Sequence, residues 1–155
     1  MGEYQMGNGK LIEMHGDHCV SMLGLHLVWC TKYRKPVLTG EVELTVRNMI
    51  GQAAKDNGWR CITVEIMPDH VHVFLQIQHT DAPVHVLRML KSITAVAVFT
   101  SFPKLKGQKF WGSGLWSRGA YYGSGGQVSQ ETITAYIQNQ KKKETAGINM
   151  AVSTE

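Results

Sequence analysis

Cysteine is scarce in this chain, and the three present, Cys19, Cys30 and Cys61, lie far apart with no C-x-x-C among them. That argues against a disulfide framework and fits reduced core thiols in a cytosolic protein. Charge is sparse too: 18% of residues are charged against 43% hydrophobic, the balance of a folded domain rather than a disordered chain. No apolar run approaches the roughly 20 residues of a spanning helix, so no membrane partner is expected. The opening MGEYQMGNGKLIEMHGDH lacks the apolar stretch of a signal peptide. These absences leave one cytoplasmic domain, long enough at 155 residues to bury a real core.

What charge there is comes in clusters. The net charge is +4, and TKYRK (Lys32, Arg34, Lys35), PKLKGQK (Lys104, Lys106, Lys109) and KKK (Lys141 to Lys143) hold nine of the sixteen Lys and Arg residues. Trp29, Tyr33, Phe110, Trp111 and Trp116 lie inside or beside the first two groups. Basic grooves with interleaved aromatic platforms suit single-stranded nucleic acid, where bases stack and phosphates meet cations. Solvated loops are the alternative reading of the same clusters. Lys32, Arg34, Lys35, Lys104 and Lys106 are the expected phosphate contacts.

The chain order is legible from hydrophobic periodicity. Residues 1–17 read as a flexible lead-in, 18–141 as the domain, and 142–155 as a flexible tail. CVSMLGLHLVWCTKY is rich in strand formers and gives a first strand over about 19–31. Thr39–Gly40 opens a helix in which Val42, Val46, Met49, Ile50 and Ala53 recur at helical spacing, and Asn57–Gly58 stops it. WRCITVEIM alternates as a strand, with Cys61 or Ile62, Val64 and Ile66 inward. Pro68–Asp69 makes a tight turn into HVHVFLQIQ, so two strands form a hairpin. A second helix is expected over 82–100, closed by Pro103. A fourth strand follows in GLWSRGAYYGSGG, and a last helix starts from Ser129 as N-cap. The order β-α-β-β-α-β-α is an α+β, ferredoxin-like split βαβ with an antiparallel sheet and an added C-terminal helix.

Two places in that frame bear chemistry. His70 and His72 are two apart on a strand, so they share a face with Cα atoms about 6.5–7 Å apart, a span that two imidazoles can close around one ion. A wet pair without function fits that spacing equally well, and a catalytic metal normally takes three protein ligands. On the last helix, Tyr136 and Gln140 are four apart and so share a face, placing a phenol beside an amide oxygen. Tyr136 alone also reads as a core aromatic beside Ile133 and Ile137.

HLVWCTKYRKPVLTG, MPDHVHVFLQ, LKSITAVAVFTSFPKLKGQKFWGSGLWS and TITAYIQNQ together resemble the single-tyrosine HUH transposases, TnpA type, of short insertion sequences that move as single-stranded DNA. The likeness runs in order over residues 20 to 141. It implies an RNA-recognition-motif-like core, a homodimer with active sites shared between subunits, and recognition of a subterminal DNA hairpin. It also implies that His70, His72 and Gln140 bind a divalent metal, Mg²⁺ or Mn²⁺ with Zn²⁺ not excluded by ligand type, and that Tyr136 is the nucleophile. The tyrosine would attack a backbone phosphate and hold it as a 5′-phosphotyrosine, keeping the bond energy for rejoining.

RGAYYGSGGQ departs from the bulkier segment usual in that family, and Gly125–Gly126 there suggest a hinge for the tyrosine helix. Tyr121 and Tyr122 are rival nucleophiles, although adjacent strand residues point to opposite faces. Asp69 reads as a turn residue. Two alternatives share the fold: a domesticated relative that processes repeated palindromes, and a non-catalytic single-strand-binding module with Tyr136 buried.

Overall fold

The computed structural model describes residues 10–110, 112–125, 132–140 and 142–143. A short hairpin of β1 (Met14–His15) and β2 (Val20–Ser21) precedes the central strand β3 (Leu23–Cys30). After a 3₁₀ turn at Lys32–Arg34 come α1 (Gly40–Asp56), β4 (Arg60–Met67), β5 (His70–Ile77), α2 (Pro83–Ser101), α3 (Pro103–Phe110) and β6 (Tyr121–Ser124). Residues 132–140 are helical and are called α4. The main sheet has the order β4-β5-β3-β6, with each neighbouring pair antiparallel. This is the expected ferredoxin-like plan.

The helices follow from local chemistry. In α1, Glu41 and Glu43 sit in the first turn, where carboxylates complement the helix dipole. At its end the Asn57 amide donates to the Ala53 carbonyl at 2.8 Å, and Gly58 takes φ 70°. That left-handed residue lets the chain turn back into Trp59 and β4. Pro83 opens α2 at a position that needs no amide hydrogen. Pro103 does not merely close α2. It begins α3, a helix not expected from the sequence because PKLKGQKF carries a glycine and three lysines but little apolar periodicity.

Alternation along the strands sorts the sheet into two faces. Leu25, Leu27, Trp29, Val71, Val73 and Leu75 point to one side and form the main core with Val46, Ile50, Leu87 and Leu90 from α1 and α2. β4 joins that face through a bulge between Cys61 and Thr63, which explains why both Cys61 and Ile62 looked inward. Burial pushes the Cys61 thiol up to about 11, against a smaller opposing pull from Arg47. Among the described residues α2 is long and apolar enough to cross a membrane, contrary to the expectation that no segment would be. Its buried side nevertheless faces α1 and the sheet, through Val86, Leu87, Leu90 and Val98. The lead-in from residue 10 onward is tied to the sheet. The side-chain amide of fully buried Gln76 accepts from the Ile12 amide at 3.0 Å and donates to the Ile12 carbonyl, as a neighbouring peptide group would.

Candidate active site

The second face of the sheet carries the candidate residues. In the antiparallel ladder Cys30 pairs with His70, Val28 with His72, His26 with Phe74, and Val28 on its other side with Tyr121. Directly paired residues share a face, so His70, His72, Tyr121 and His26 all lie opposite the α1–α2 layer. Helix α4 packs here: Ile133 and Ile137 bury against Val28 and Cys30, with Tyr121 and Tyr136 at the margin. Hence the structure brings the helix bearing Tyr136 onto the same side of the sheet as the two histidines. Tyr136 itself lies toward β6, its ring centroid 6.3 Å from that of Tyr121. Tyr122 faces the other way and is exposed.

Each histidine is oriented by a carboxylate. His70 Nδ1 lies 2.8 Å from Asp69 Oδ1, which leaves Nε2 as the nitrogen available to a ligand. His72 Nδ1 lies 3.5 Å from Glu65 Oε2, and its Nε2 lies 3.1 Å from His26 Nδ1. Burial lowers the His72 pKa below its usual 6.5, opposed by Glu65 and reinforced by His70. The imidazole therefore keeps a lone pair at neutral pH. His26 is buried and stacked on Phe74, with ring centroids 4.1 Å apart and planes inclined by 3°.

Asp69 is more than a turn residue. Its second oxygen accepts from Arg34 Nη2. Burial raises its pKa, but hydrogen bonds and charge from His70 and Arg34 outweigh that and hold the carboxyl below the ordinary range. Asp69 and Glu65 were both readable in principle. A two-residue turn after Met67 pairs 67 with 70 and 65 with 72, placing Glu65 opposite His72. His26 was not readable, because its place depends on the register between strands far apart in sequence.

The donor types at the histidine pair suit a divalent cation: His70 offers Nε2, and His72 Nε2 would exchange its His26 partner for the ion. No group of three His, Cys, Asp or Glu side chains stands ready to hold a metal among the described residues. A third donor has to come from elsewhere. The Gln140 amide instead donates to Ser117 Oγ at 3.3 Å and to the Arg118 carbonyl at 3.1 Å. Ser117 in turn bonds to the Cys30 carbonyl, so Gln140 is held at the end of β3, by a segment rather than by the histidines.

A family model described as "Transposase IS200 like" matches residues 19–140. The chain belongs to the IS200-like transposase family. It is similar to the ISDra2 transposase TnpA of Deinococcus radiodurans, 37% identical over 129 residues that cover 83% of this chain and 91% of that one. The transposase for insertion sequence element IS200 of Salmonella typhimurium is 24% identical over 82% of each chain. Among solved structures, a crystal structure of a candidate transposase from Deinococcus radiodurans R1 superposes with a TM-score of 0.73 at 35% identity, covering 82% of this chain and 97% of that one. A REP-associated tyrosine transposase bound to a REP hairpin shares the fold, with a TM-score of 0.51 at 15% identity over 85% of this chain and 66% of that one.

In this IS200-like transposase the basic groups expected to meet DNA fall into two kinds. Lys104 and Lys106 project from α3 and are exposed. Lys32, Arg34 and Lys35 form a half-buried loop, with Lys32 Nζ 5.5 Å from the Tyr33 ring centroid. The loop is tied to the segment after α3, because the Lys32 amide bonds the Leu115 carbonyl at 2.8 Å and Thr31 bridges Trp116. Lys91 supports that segment from α2, donating to the Ser117 and Gly119 carbonyls, and burial lowers its pKa. Gly125 adopts φ 96°, a backbone state open to glycine. Gly126, Ser129 and Trp111, named in the sequence reading, lie outside the described residues, as does nearly all of the 142–155 tail.

Proposed function

We propose that this transposase cleaves and rejoins single-stranded DNA at insertion-sequence ends through a 5′-phosphotyrosine, recognising a subterminal hairpin. The observation that carries the proposal is the shared sheet face, which presents His70 and His72 beside the helix bearing Tyr136. The Tyr136 oxygen forms a bond to the scissile phosphorus, and the bond from phosphorus to the departing 3′-oxygen breaks. The phenolic proton leaves and the 3′-oxygen gains one, giving a free 3′-hydroxyl. Rejoining is the same exchange in reverse with a new 3′-hydroxyl.

His70 and His72, with Gln140 once released from Ser117, would hold Mg²⁺ or Mn²⁺. Such an ion polarises a phosphate and offsets charge developing on it. The chain's own contribution is orientation: Asp69 and Glu65 fix the imidazoles. Lys32, Arg34, Lys35, Lys104 and Lys106 are the cations that would meet a phosphate backbone. The homodimer with shared active sites is part of the same proposal: a partner's α4 could occupy the position that this chain's helix takes on its own sheet.

One observation favours the non-catalytic reading. The Tyr136 hydroxyl is buried in its seated position, as a purely structural tyrosine's would be. Incubating the protein with Mn²⁺ and hairpin-bearing single-stranded DNA separates the two. The transposase reading expects a denaturation-resistant protein–DNA adduct that is lost in Tyr136→Phe and kept in Tyr121→Phe. Absence of any adduct across several element-end sequences would favour the binding module.

A further inference from the structure

We propose that Arg34 is a positioning residue that couples the seating of the tyrosine helix to the orientation of His70. The proposal rests on the reading above, in which His70 holds the metal. Its starting point is a piece of unusual backbone. Tyr33 and Arg34 are consecutive non-glycine residues in the left-handed region, at φ 57° and 49°, a conformation that L-residues seldom adopt.

The turn is held in that shape from both sides. The Thr31 amide and hydroxyl both donate to the Asp69 carbonyl, at 2.9 and 3.2 Å, and the hydroxyl also reaches the Lys35 carbonyl at 2.9 Å. The Leu38 amide bonds the Pro68 carbonyl at 2.9 Å. Loop 31–38 and the Pro68–Asp69 turn are thus stitched together, and the distance from Arg34 to the Asp69 carboxylate is set by backbone.

What the turn delivers is a guanidinium with two jobs. Nη2 donates to Asp69 Oδ2, while Nη1 donates to the Ile137 carbonyl of α4 at 3.3 Å. Only Asp69 Oδ1 is then left for His70 Nδ1. With α4 seated, the carboxylate is divided: one oxygen for the cation, one for the imidazole. When α4 leaves, Nη1 loses its acceptor, and a planar fork of fixed geometry turns naturally onto both oxygens of one carboxylate. That bidentate grip competes with His70 for Oδ1 and frees the ring to rotate. Seating of the helix therefore tightens His70, and by linkage a metal held by His70 tightens the seating of the helix.

The test uses the full chain and Mn²⁺ alone. Mn²⁺ affinity is read from the free-ion EPR signal, and the exchange of amides in residues 133–140 is followed with and without saturating Mn²⁺. In the wild type, Mn²⁺ should slow exchange in α4 by about tenfold, a typical size for coupling between sites. Arg34→Gln should lose that slowing and bind Mn²⁺ about tenfold more weakly. Arg34→Lys keeps the charge without the fork and should also lose the slowing, which guards against a glutamine variant that fails to fold. Sheet amides of β3 and β5 serve as reference, since a merely structural role would speed their exchange in parallel. Metal-dependent slowing that persists in either folded variant overturns the proposal. If His70→Ala leaves Mn²⁺ affinity unchanged, the metal lies elsewhere and both this inference and the metal reading fall.

Discussion

The two faces of the central sheet are built from the same strands and could hardly differ more. On the helix-covered face Leu27, Trp29, Val71 and Val73 are completely buried, and each is explained by packing alone. One residue along, the other face carries His26, His70, His72 and Gln76, whose neighbours are carboxylates, imidazoles and a strap of backbone. Because strand side chains alternate, each of these four residues has a core residue next to it in the chain. The scaffold that fixes the chemistry is thus as close as one peptide bond. Stability and activity should therefore separate by face.

The largest separation is expected at Tyr136→Phe. Adduct formation should fall at least about 10³-fold, as when a nucleophile is removed, with the thermal midpoint unchanged. A phenylalanine variant that still forms adduct would remove Tyr136 from the mechanism. Leu27→Ala probes the opposite face and should cost about 2–5 kcal/mol in urea unfolding, while its folded fraction keeps wild-type Mn²⁺ affinity. Equal losses of stability and metal affinity would mean that the faces are not independent.

Asp69→Asn is a smaller and more pointed change, because it keeps shape and removes charge. Mn²⁺ affinity should fall about tenfold, the lower end for a residue that orients a metal ligand, measured by calorimetric titration. Smallest is the pH effect at His72. Its pKa is lowered in the folded protein, so the unfolded chain takes up the proton first as pH falls through about 6.5. Acidification should then erode stability from about pH 6.5 downward until the folded imidazole also protonates, with a slope well below the roughly 1.4 kcal/mol per pH unit of one full proton. Urea midpoints at pH 7.5, 6.5 and 5.5 should converge in His72→Asn. A variant slope equal to wild type would assign the effect to other groups.

The difference between the faces also governs what could be read from sequence. The core face was legible: Val71 and Val73 pointing inward, the helical stripe Val46–Ile50–Ala53, and the Pro68–Asp69 hairpin all follow from periodicity and turn chemistry. The histidine pair was legible as a pair, whereas its significance came from resemblance. The environment of the site was not legible. Asp69 looked like a turn residue because turn propensity and ligand orientation use the same side chain. Arg34 was expected as a phosphate contact, and nothing local announces its ion pair with Asp69 or its bond to Ile137. The fourth strand shrank to Tyr121–Ser124, with the preceding segment spent on holding Lys91 and Gln140.

The bulge in β4 acts as a frame correction for the whole hairpin. Arg60 and Cys61 pair with Gln76 and Leu75, and Thr63 pairs with Phe74, so Ile62 is the surplus residue. Losing Ile62 would leave Glu65 opposite His72 and sacrifice one buried side chain. Losing Ile66 or Met67 would instead bring Val64 opposite His72 and turn Glu65 to the other face. Length variation among relatives should thus be tolerated at Ile62 and purged between Glu65 and the turn, an asymmetry that substitution data alone would never reveal.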